Sequence, residues 1–429
     1  MDFTNQDQGI VMNLLERRNK ALGPSYSLFY DDPVHLVRGQ GIWLWGADGR
    51  KYLDCYNNVA SVGHCHPDVV AALSDQAATL NTHTRYLHEN VVELSEKIAS
   101  KMPGDLSVCM FVCTGTEAND LATRIARTVT GNYGMLVSEY SYHGNSTLVY
   151  ALSTADSDER PDWLAQFEAP CSYRVAVEGD DLVDGYVGSV RDAIGNLKQK
   201  GQSPAAIMFD SIFDCPGTIE APQGYFQQTY KTVREAGGLV IADEVQSGYC
   251  RTGDYWWGFE HDGVVPDIVT LGKPMGAGHP LAAVVTTPDI AARFAKKADY
   301  FNTFGGNPVS TAVGKAVIDV IDRENLLENV TRLGAYTKAG LQELQNKYDM
   351  IGDVRGRGLF LSVDVVKDRA NKTPDAAQAH HIADLMKEEG VLISTHGRYE
   401  NVLKIRPPMV FSQDNADQLL TALDACLSN

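Results

Sequence analysis

A lysine at the end of a short apolar run is the first residue whose setting suggests chemistry. In the segment DIVTLGKPMGAGHP, the run Asp267–Leu271 is typical of a buried strand, and Lys273 follows after one glycine. A tight turn comes next, with Pro274, Gly276 and Gly278. A plain strand-end lysine is one interpretation. The other is an amine fixed in place as a nucleophile, which a mobile surface lysine could not provide.

Three further motifs place polar groups at the ends of apolar runs. Asp243 ends the run GLVIAD, where a buried carboxylate needs a cationic partner, unless it only caps a helix or forms an ion pair. Gly115 and Thr116 lie between a predicted strand and a predicted helix, where backbone N–H groups hold a phosphate or Thr116 is a plain cap. Tyr142 and His143 follow another strand and could stack on a ring, although such a pair is also common in surfaces and cores.

Together these groups fit one ligand, a flat cationic heteroaromatic ring that carries a phosphate and a reactive carbonyl. Asp243 would pair with a protonated ring nitrogen, and Gly115 and Thr116 would hold the phosphate. Tyr142 would stack on the ring, and Lys273 would form an imine with the carbonyl. The ligand with these properties is pyridoxal 5′-phosphate, which withdraws electrons from a carbon next to an amine.

The overall composition limits the other classes of partner. The chain has 429 residues and a formal net charge of −18, which disfavours nucleic acid and anionic membrane surfaces. We expect neither a membrane span nor a signal peptide, and the singly placed cysteines indicate reduced thiols in the cytoplasm. The cluster His64-Cys65-His66 could suggest a metal, but adjacent residues rarely converge on one ion, so no metal site is expected.

The order of the predicted elements indicates the fold class. A hairpin around Asp48-Gly49 is followed by two amphipathic helices, and then strands such as Ser107–Val112, YGMLVSE, AAIMFD and GLVIADE alternate with helices. This alternation predicts an α/β fold whose large domain has a mostly parallel, doubly wound sheet.

The final part of the chain predicts a smaller α+β domain, in which a long helical stretch from VSTAVGK to QNKY precedes further strands and helices. We expect residues 1–65 to be an N-terminal segment that joins the small domain, residues 66–310 to form the large cofactor-binding domain, and residues 311–429 to form the small domain.

These motifs resemble those of the class III aminotransferase family of fold-type I pyridoxal-phosphate enzymes. GTEAND, YHG, ADEVQSGYCRTG, PDIVTLGKPMGAGHP and FNTFGGNP occur in the family's order, and the likeness extends over nearly the whole chain, from GIWLWGADGRKYLDC to LKIRPPMVF. The resemblance implies a homodimer with shared active sites, and it leaves open whether two dimers associate.

The resemblance gives the residues above the roles already described and adds others. Val245 would pack against the cofactor ring, and Gln246 would approach its phenolic oxygen. Thr303 in FNTF would reach the phosphate bound by the neighbouring subunit, and Arg406 in KIRPP matches the family's substrate-carboxylate arginine. Asp210 stands where many members have the glutamate that pairs with this arginine, so the usual carboxylate switching is in question.

Within the family, the chain looks most similar to one branch. NVASVGHCHP, LNTHTRYLHENVVEL, DLSVC and GKPMGAGHPLAAV resemble the phospholyases that act on O-phosphoethanolamine or phosphohydroxylysine. The expected reaction is elimination of phosphate from a small phosphorylated amine to give an aldehyde, ammonia and phosphate. Arg85 and Arg406 are candidate ligands of the substrate phosphate, unless Arg85 only pairs with Glu89 or Asp75.

An aminotransferase is the main alternative, because both reactions begin alike. Lys273 would remove the proton next to the substrate nitrogen in either case. An ω-amino acid or alanine-glyoxylate type aminotransferase would then release a ketone or aldehyde, whereas a phospholyase would first lose phosphate. Racemase or aminomutase chemistry and a non-enzymatic cofactor-carrying domain are further alternatives, and the presence of both Lys273 and Asp243 disfavours the last.

Overall fold

The strands form three sheets within residues 14–177 and 181–428, the part of the chain that a computed structural model describes. In chain order they are β1 (Leu36–Gln40), β2 (Trp43–Gly46), β3 (Lys51–Asp54), β4 (Val108–Val112), β5 (Gly134–Ser138), β6 (Leu164–Phe167), β7 (Pro204–Asp210), β8 (Leu239–Asp243), β9 (Ile268–Leu271), β10 (Ala282–Thr286), β11 (Ile351–Arg357), β12 (Phe360–Asp368), β13 (Thr373–Pro374), β14 (Val391–Leu392), β15 (Ser394–His396) and β16 (Val402–Ile405).

The largest sheet has seven strands in the order β4-β10-β9-β8-β7-β5-β6. β10 is antiparallel to β4 and β9, and the other neighbours are parallel. Alternate residues of a strand enter two different cores: Ile207 and Phe209 pack in one, and Ala206 and Met208 in the other. Both faces are therefore covered, which explains the continuous apolar runs and confirms the predicted mostly parallel α/β sheet.

Helices cover the sheets, and their starts follow familiar sequence signals such as a Ser, Thr, Asn or Asp cap or a proline in the first turn. They are α1 (Pro67–Thr79), α2 (Glu89–Ala99), α3 (Gly115–Thr130), α4 (Thr147–Leu152), α5 (Leu182–Gln199), α6 (Asp214–Gly217), α7 (Tyr225–Glu235), α8 (Pro288–Ala295), α9 (Pro308–Arg323), α10 (Leu326–Lys347), α11 (Ala376–Glu388) and α12 (Gln413–Leu427).

The predicted long helical stretch is divided into α9 and α10. Asn325 between them adopts a left-handed conformation with φ of 52°, which asparagine tolerates better than most residues and which no α-helix can continue through. None of the helices in the described part of the chain is both long enough and apolar enough to cross a bilayer.

One of the two smaller sheets joins the beginning of the chain to its end. The predicted hairpin forms β2 and β3, and β14 pairs with β3 in parallel, with Val391 beside Leu53 and Leu392 beside Asp54. The other sheet has the order β11-β12-β16-β15, with β13 added to β12. These connections bring β15 and β16 to the edge of the large sheet where the site lies.

Candidate active site

The carboxyl ends of three neighbouring strands carry reactive side chains. Asp210 of β7 lies in register with Asp243 of β8, which lies in register with Thr270 of β9. Lys273 begins a short 3-10 turn just after β9. Asp210, Asp243 and Lys273 all line one cavity of about 710 Å³. Open α/β sheets bind their ligands at this edge, so the cavity is the candidate active site.

The cavity also collects the other residues that were predicted to hold the cofactor from within one subunit. Thr303, Arg85 and Arg406 are not among the residues that line it. The predicted residues that do line it are Gly115, Thr116, Tyr142, His143, Asp243, Val245, Gln246 and Lys273.

The side-chain amine of Lys273 is free to react with a ligand in the cavity. Among the described residues, its Nζ has no hydrogen bond or salt bridge. Enclosure in the cavity and the charge of Arg406 lower the pKa of Lys273 below its usual value, while Asp243 and Asp214 act in the opposite direction. A lower pKa increases the fraction of neutral amine, which is the form that acts as a nucleophile or base.

Asp243 is fixed by donors on both carboxylate oxygens. Its Oδ2 accepts hydrogen bonds from Asn119 Nδ2 and His143 Nδ1, both at 2.8 Å, and its Oδ1 accepts one from the backbone N–H of Val245 at 3.1 Å. Asn119 also donates to the carbonyl of His143 at 2.7 Å. This buried network holds the carboxylate at the strand end, where it can meet a cationic group.

The start of α3 provides donors for an anion. Thr114 caps the helix through a capping box with Glu117. No hydrogen bond within the described residues uses the backbone N–H groups of Gly115 and Thr116, which are therefore available to a ligand. Gly144 has φ of 139°, and a Cβ there would lie 2.5 Å from Thr116 Oγ1, so glycine allows this loop to approach the helix start.

Val245 closes the apolar side of the same region. Its two methyl groups lie 3.0 Å from the position of a Cβ added at Gly115, and its Cγ1 lies 3.2 Å from one added at Gly272. Val245 therefore fills the space between the start of α3 and the residue before Lys273.

These features fit pyridoxal phosphate. Free helix-start N–H groups suit its phosphate, the buried Asp243 carboxylate suits its ring nitrogen, and the unpaired amine of Lys273 suits its carbonyl. Two buried polar atoms, Asn119 Oδ1 and His143 Nε2, have no partner in the described part of the chain, as expected for a wall that faces a polar ligand.

Arg406 lies behind Gln246 rather than on the cavity wall. Its Nη1 donates to Gln246 Oε1 at 2.6 Å, and its Nε donates to the carbonyl of Tyr56 at 3.2 Å. Asn58 Nδ2 donates to the same Oε1 at 2.7 Å. Within one subunit, Arg406 therefore contacts Gln246 and the Tyr56 carbonyl, and its expected contact with substrate stays a prediction.

Three residues that sequence reasoning missed complete this wall. Lys404 Nζ lies 2.7 Å from Asp214 Oδ2, and His396 Nδ1 lies 3.3 Å from Asp214 Oδ1. Burial and the charge of Arg406 lower the pKa of Lys404 to about 8, and burial and Lys404 lower the pKa of His396 to about 4. Although burial alone would raise it, Lys404 and His396 hold the pKa of Asp214 well below its usual value.

Arg85 and Thr303 are exposed on the outside of the chain. The Arg85 guanidinium lies 4.1 Å from the centre of the Phe301 ring. Among the described residues it has no ion pair with Glu89 or Asp75, so that alternative for Arg85 is not realised. Neither Arg85 nor Thr303 is among the residues that line the cavity.

Comparison with known proteins agrees with the predicted family. The family model described as aminotransferase class III matches residues 29–427. A phospholyase from Arthrobacter, solved in complex with phosphoethanolamine, is 43% identical with a TM-score of 0.94 and covers 97% of this chain and 99% of its own. The alanine–glyoxylate aminotransferase 2 homolog 2, mitochondrial, of Arabidopsis thaliana is 44% identical over 97% of this chain and 87% of its own length. The ethanolamine-phosphate phospho-lyase homolog 1 of Caenorhabditis elegans is 38% identical over 97% and 93% respectively.

These matches confirm the predicted fold type and cofactor as well as the family. The chain therefore belongs to the class III aminotransferase family of pyridoxal-phosphate-dependent enzymes.

Proposed function

We propose that this enzyme is a phospholyase that eliminates phosphate from O-phosphoethanolamine or a similar phosphorylated amine. The observation that supports this proposal best is the charge of the cavity wall. Among the described lining residues there are five carboxyl side chains, two lysines and no arginine. One of these lysines is Lys273, and the other, Lys404, is already paired with Asp214.

Such a wall suits a substrate with no carboxylate on its reacting carbon, such as phosphoethanolamine, better than it suits an amino or keto acid, and the substrate phosphate would be bound by Arg85 of the partner subunit, as proposed below. An aminotransferase that uses pyruvate or glyoxylate must bind a keto acid in at least one half of its cycle, and a carboxylate is best bound by an unpaired cation such as arginine. The likeness to a phospholyase solved with phosphoethanolamine supports the same conclusion. An alanine–glyoxylate type aminotransferase stays the second candidate, because relatives with that name are equally similar.

Lys273 and Asp243 would have different roles in the reaction. When bound, pyridoxal phosphate supplies an electron-withdrawing ring next to the substrate's amino group. Lys273 would remove a proton from the carbon that bears the amine, and Asp243 would keep the ring nitrogen protonated. The carbon–oxygen bond on the next carbon would break, and phosphate would leave with the bonding electrons. With one water consumed, phosphoethanolamine gives acetaldehyde, ammonia and phosphate.

A simple experiment tests the proposal. The purified holoenzyme is mixed with O-phosphoethanolamine in the absence of any keto acid, and inorganic phosphate and acetaldehyde are measured. Equal amounts of both products are expected. If no phosphate appears, while an ω-amine and pyruvate are converted to alanine, the aminotransferase replaces the lyase.

We also propose that the enzyme is a homodimer and that Arg85 and Thr303 act in the active site of the partner. Both are exposed, and Phe301, Phe304 and Leu87 beside them in the sequence expose large apolar surfaces, which indicate an interaction site. Across this interface Arg85 would bind the substrate phosphate and Thr303 the cofactor phosphate.

Mixing two inactive variants tests this sharing. A dimer formed from one Lys273→Ala subunit and one Arg85→Ala subunit has one site with both residues intact, if Arg85 acts in the partner. Random mixing would then restore about a quarter of the wild-type activity. No recovery after confirmed subunit exchange would show that Arg85 acts within its own subunit, and an Arg85→Ala variant that is active alone would show that Arg85 has no role.

The singly placed cysteines predict a cytoplasmic location. The Arabidopsis relative above is named as mitochondrial, so the location remains a prediction. Fractionation of the source cells, with an antibody against this chain, tests it.

A further inference from the structure

The pair formed by Lys404 and Asp214 stands in the cavity wall and has no role in the reaction proposed above. Both side chains are buried, with 7% and 5% of their surface exposed. Asp214 is held from several sides, because Gln246 Nε2 donates to its Oδ2 at 3.0 Å in addition to Lys404, and His396 approaches its other oxygen. The pair is therefore a fixed part of the wall.

This pair lies close to the place where the reacting carbon must be. Any substrate carbon that gives up its proton has to come within reach of Lys273 Nζ. Lys273, Asp214 and Lys404 line the same cavity, and in keeping with this Asp214 raises the pKa of Lys273 and Lys273 lowers that of Lys404. A substituent on the reacting carbon could thus extend toward the pair.

We propose that the Lys404–Asp214 pair is a specificity element that excludes amines with a carboxylate on the reacting carbon. Lys404 is the cation that such a carboxylate would need, but Asp214 already neutralises it. An incoming carboxylate would meet the Asp214 carboxylate in a poorly solvated place and would have no free counter-charge. This inference rests on the proposed function and narrows its substrates to amines whose reacting carbon carries no acid group.

Two substrates that differ only in this group provide the test. O-phosphoserine is O-phosphoethanolamine with a carboxylate on the carbon next to nitrogen. Wild-type holoenzyme should strongly prefer phosphoethanolamine, as judged from the ratio of the two kcat/KM values. Asp214→Asn keeps the shape of the side chain and releases the charge of Lys404. This variant should therefore shift the ratio toward phosphoserine by about 10- to 150-fold, the range for one charge-assisted hydrogen bond.

Matched variants separate the release of Lys404 from a general loss of negative charge. Asp156→Asn removes another carboxylate that lines the cavity but has no ion pair among the described residues, and it should leave the ratio within about threefold of wild type. In the double variant Asp214→Asn/Lys404→Met the gain for phosphoserine should disappear. If the double variant keeps the gain, or Asp156→Asn reproduces it, the proposal is wrong. Asp214→Ser provides the same release if the Asn variant does not fold.

Binding measurements keep this test independent of the lyase reaction. The absorbance of the bound cofactor changes when an amine reacts with it, so Kd values for ethylamine and alanine can be measured in each variant without phosphate release. Asp214 raises the pKa of Lys404, which is about 8 in the wild-type protein, so the variant is measured at about pH 6 to keep Lys404 protonated, and there Asp214→Asn should favour alanine over ethylamine by a similar factor. If the Kd values shift in this way but no phosphate is released, the lyase proposal is refuted and the role of the Lys404–Asp214 pair is supported. If the ratio of the Kd values is unchanged while lyase activity is normal, only the role of the pair is refuted.

Discussion

Replacement of Asp243 by asparagine tests the central electrostatic feature of the site. The change removes one negative charge and keeps nearly the same shape. In the wild-type protein the carboxylate accepts three hydrogen bonds, from Asn119, His143 and the backbone of Val245. An asparagine can accept at only one of its two terminal atoms, so at least one of these donors loses its partner.

The expected magnitude follows from charge and distance. Two unit charges at about 4 Å interact by roughly 4 kcal/mol at an effective dielectric constant of ~20, which suits a partly buried site. Loss of this attraction between Asp243 and a protonated ring nitrogen corresponds to a rate about 10³-fold lower. The lost hydrogen bond should also lower the free energy of unfolding by about 1.5–3 kcal/mol.

Proton removal can be measured directly. In deuterated solvent, NMR follows the replacement of the hydrogen next to the nitrogen of ethylamine, which has no leaving group, so this exchange does not depend on whether the enzyme is a lyase or an aminotransferase. Asp156→Asn, a carboxylate-to-amide change on the same wall, serves as the control and should exchange at close to the wild-type rate. If Asp243→Asn exchanged within about threefold of wild type, a difference of only ~0.65 kcal/mol, the role given to Asp243 would be refuted.

Three further predictions concern other residues of the site. Lys273→Ala should keep the circular dichroism of the folded protein, but borohydride reduction should no longer attach the cofactor; a peptide map of wild type with the label on another lysine would contradict the assignment. Burial and the charge of Asp214 raise the pKa of Asp210 to about 8, so the folded state holds a proton that the unfolded state releases above about pH 4, and the free energy of unfolding should fall as pH rises from about 4 to about 8. Asp210→Asn should flatten this slope in urea titrations, and a slope equal to that of wild type would show that Asp210 does not titrate in this way. Arg406→Leu should slow the reactions of phosphoethanolamine and ethylamine by the same factor, since Arg406 contacts Gln246; a loss confined to phosphoethanolamine would make Arg406 a phosphate ligand after all.

Three of the predicted site residues that line the cavity share a simple local signal. Asp243, Lys273 and Gly115 each come at or just beyond the end of an apolar strand, and the ends of neighbouring strands in such a sheet meet at one edge. Val245 and Gln246, which follow Asp243 closely in sequence, were predicted from the family resemblance instead. Short-range pattern was therefore sufficient for this half of the site.

The other half depends on contacts that no local pattern contains. Lys404 and Asp214 are separated by 190 positions, and nothing near either residue indicates the other. Side chains alternate between the two faces of a strand, so the sequence predicts Lys404 and Arg406 on the same face. It does not predict that the strand includes Lys404 and ends before Arg406. Asn119 had a usable signal, since it lies one helical turn after Gly115 and so shares its face of α3.

The pairing of β14 with β3 has a consequence for how the protein is made. A ribosome releases the N-terminal hairpin early, yet its partner strand Val391–Leu392 emerges only near the end of synthesis. Until then β3 has an open edge, and the carbonyl of Tyr56 just beyond it lacks its partner Arg406. Such long-range closure is slow and leaves an unpaired strand available to other nascent chains. A truncation that removes only the last forty or so residues would therefore lose the start of the chain as well, and we expect it to be retained by chaperones rather than to accumulate as a folded, cofactor-free domain.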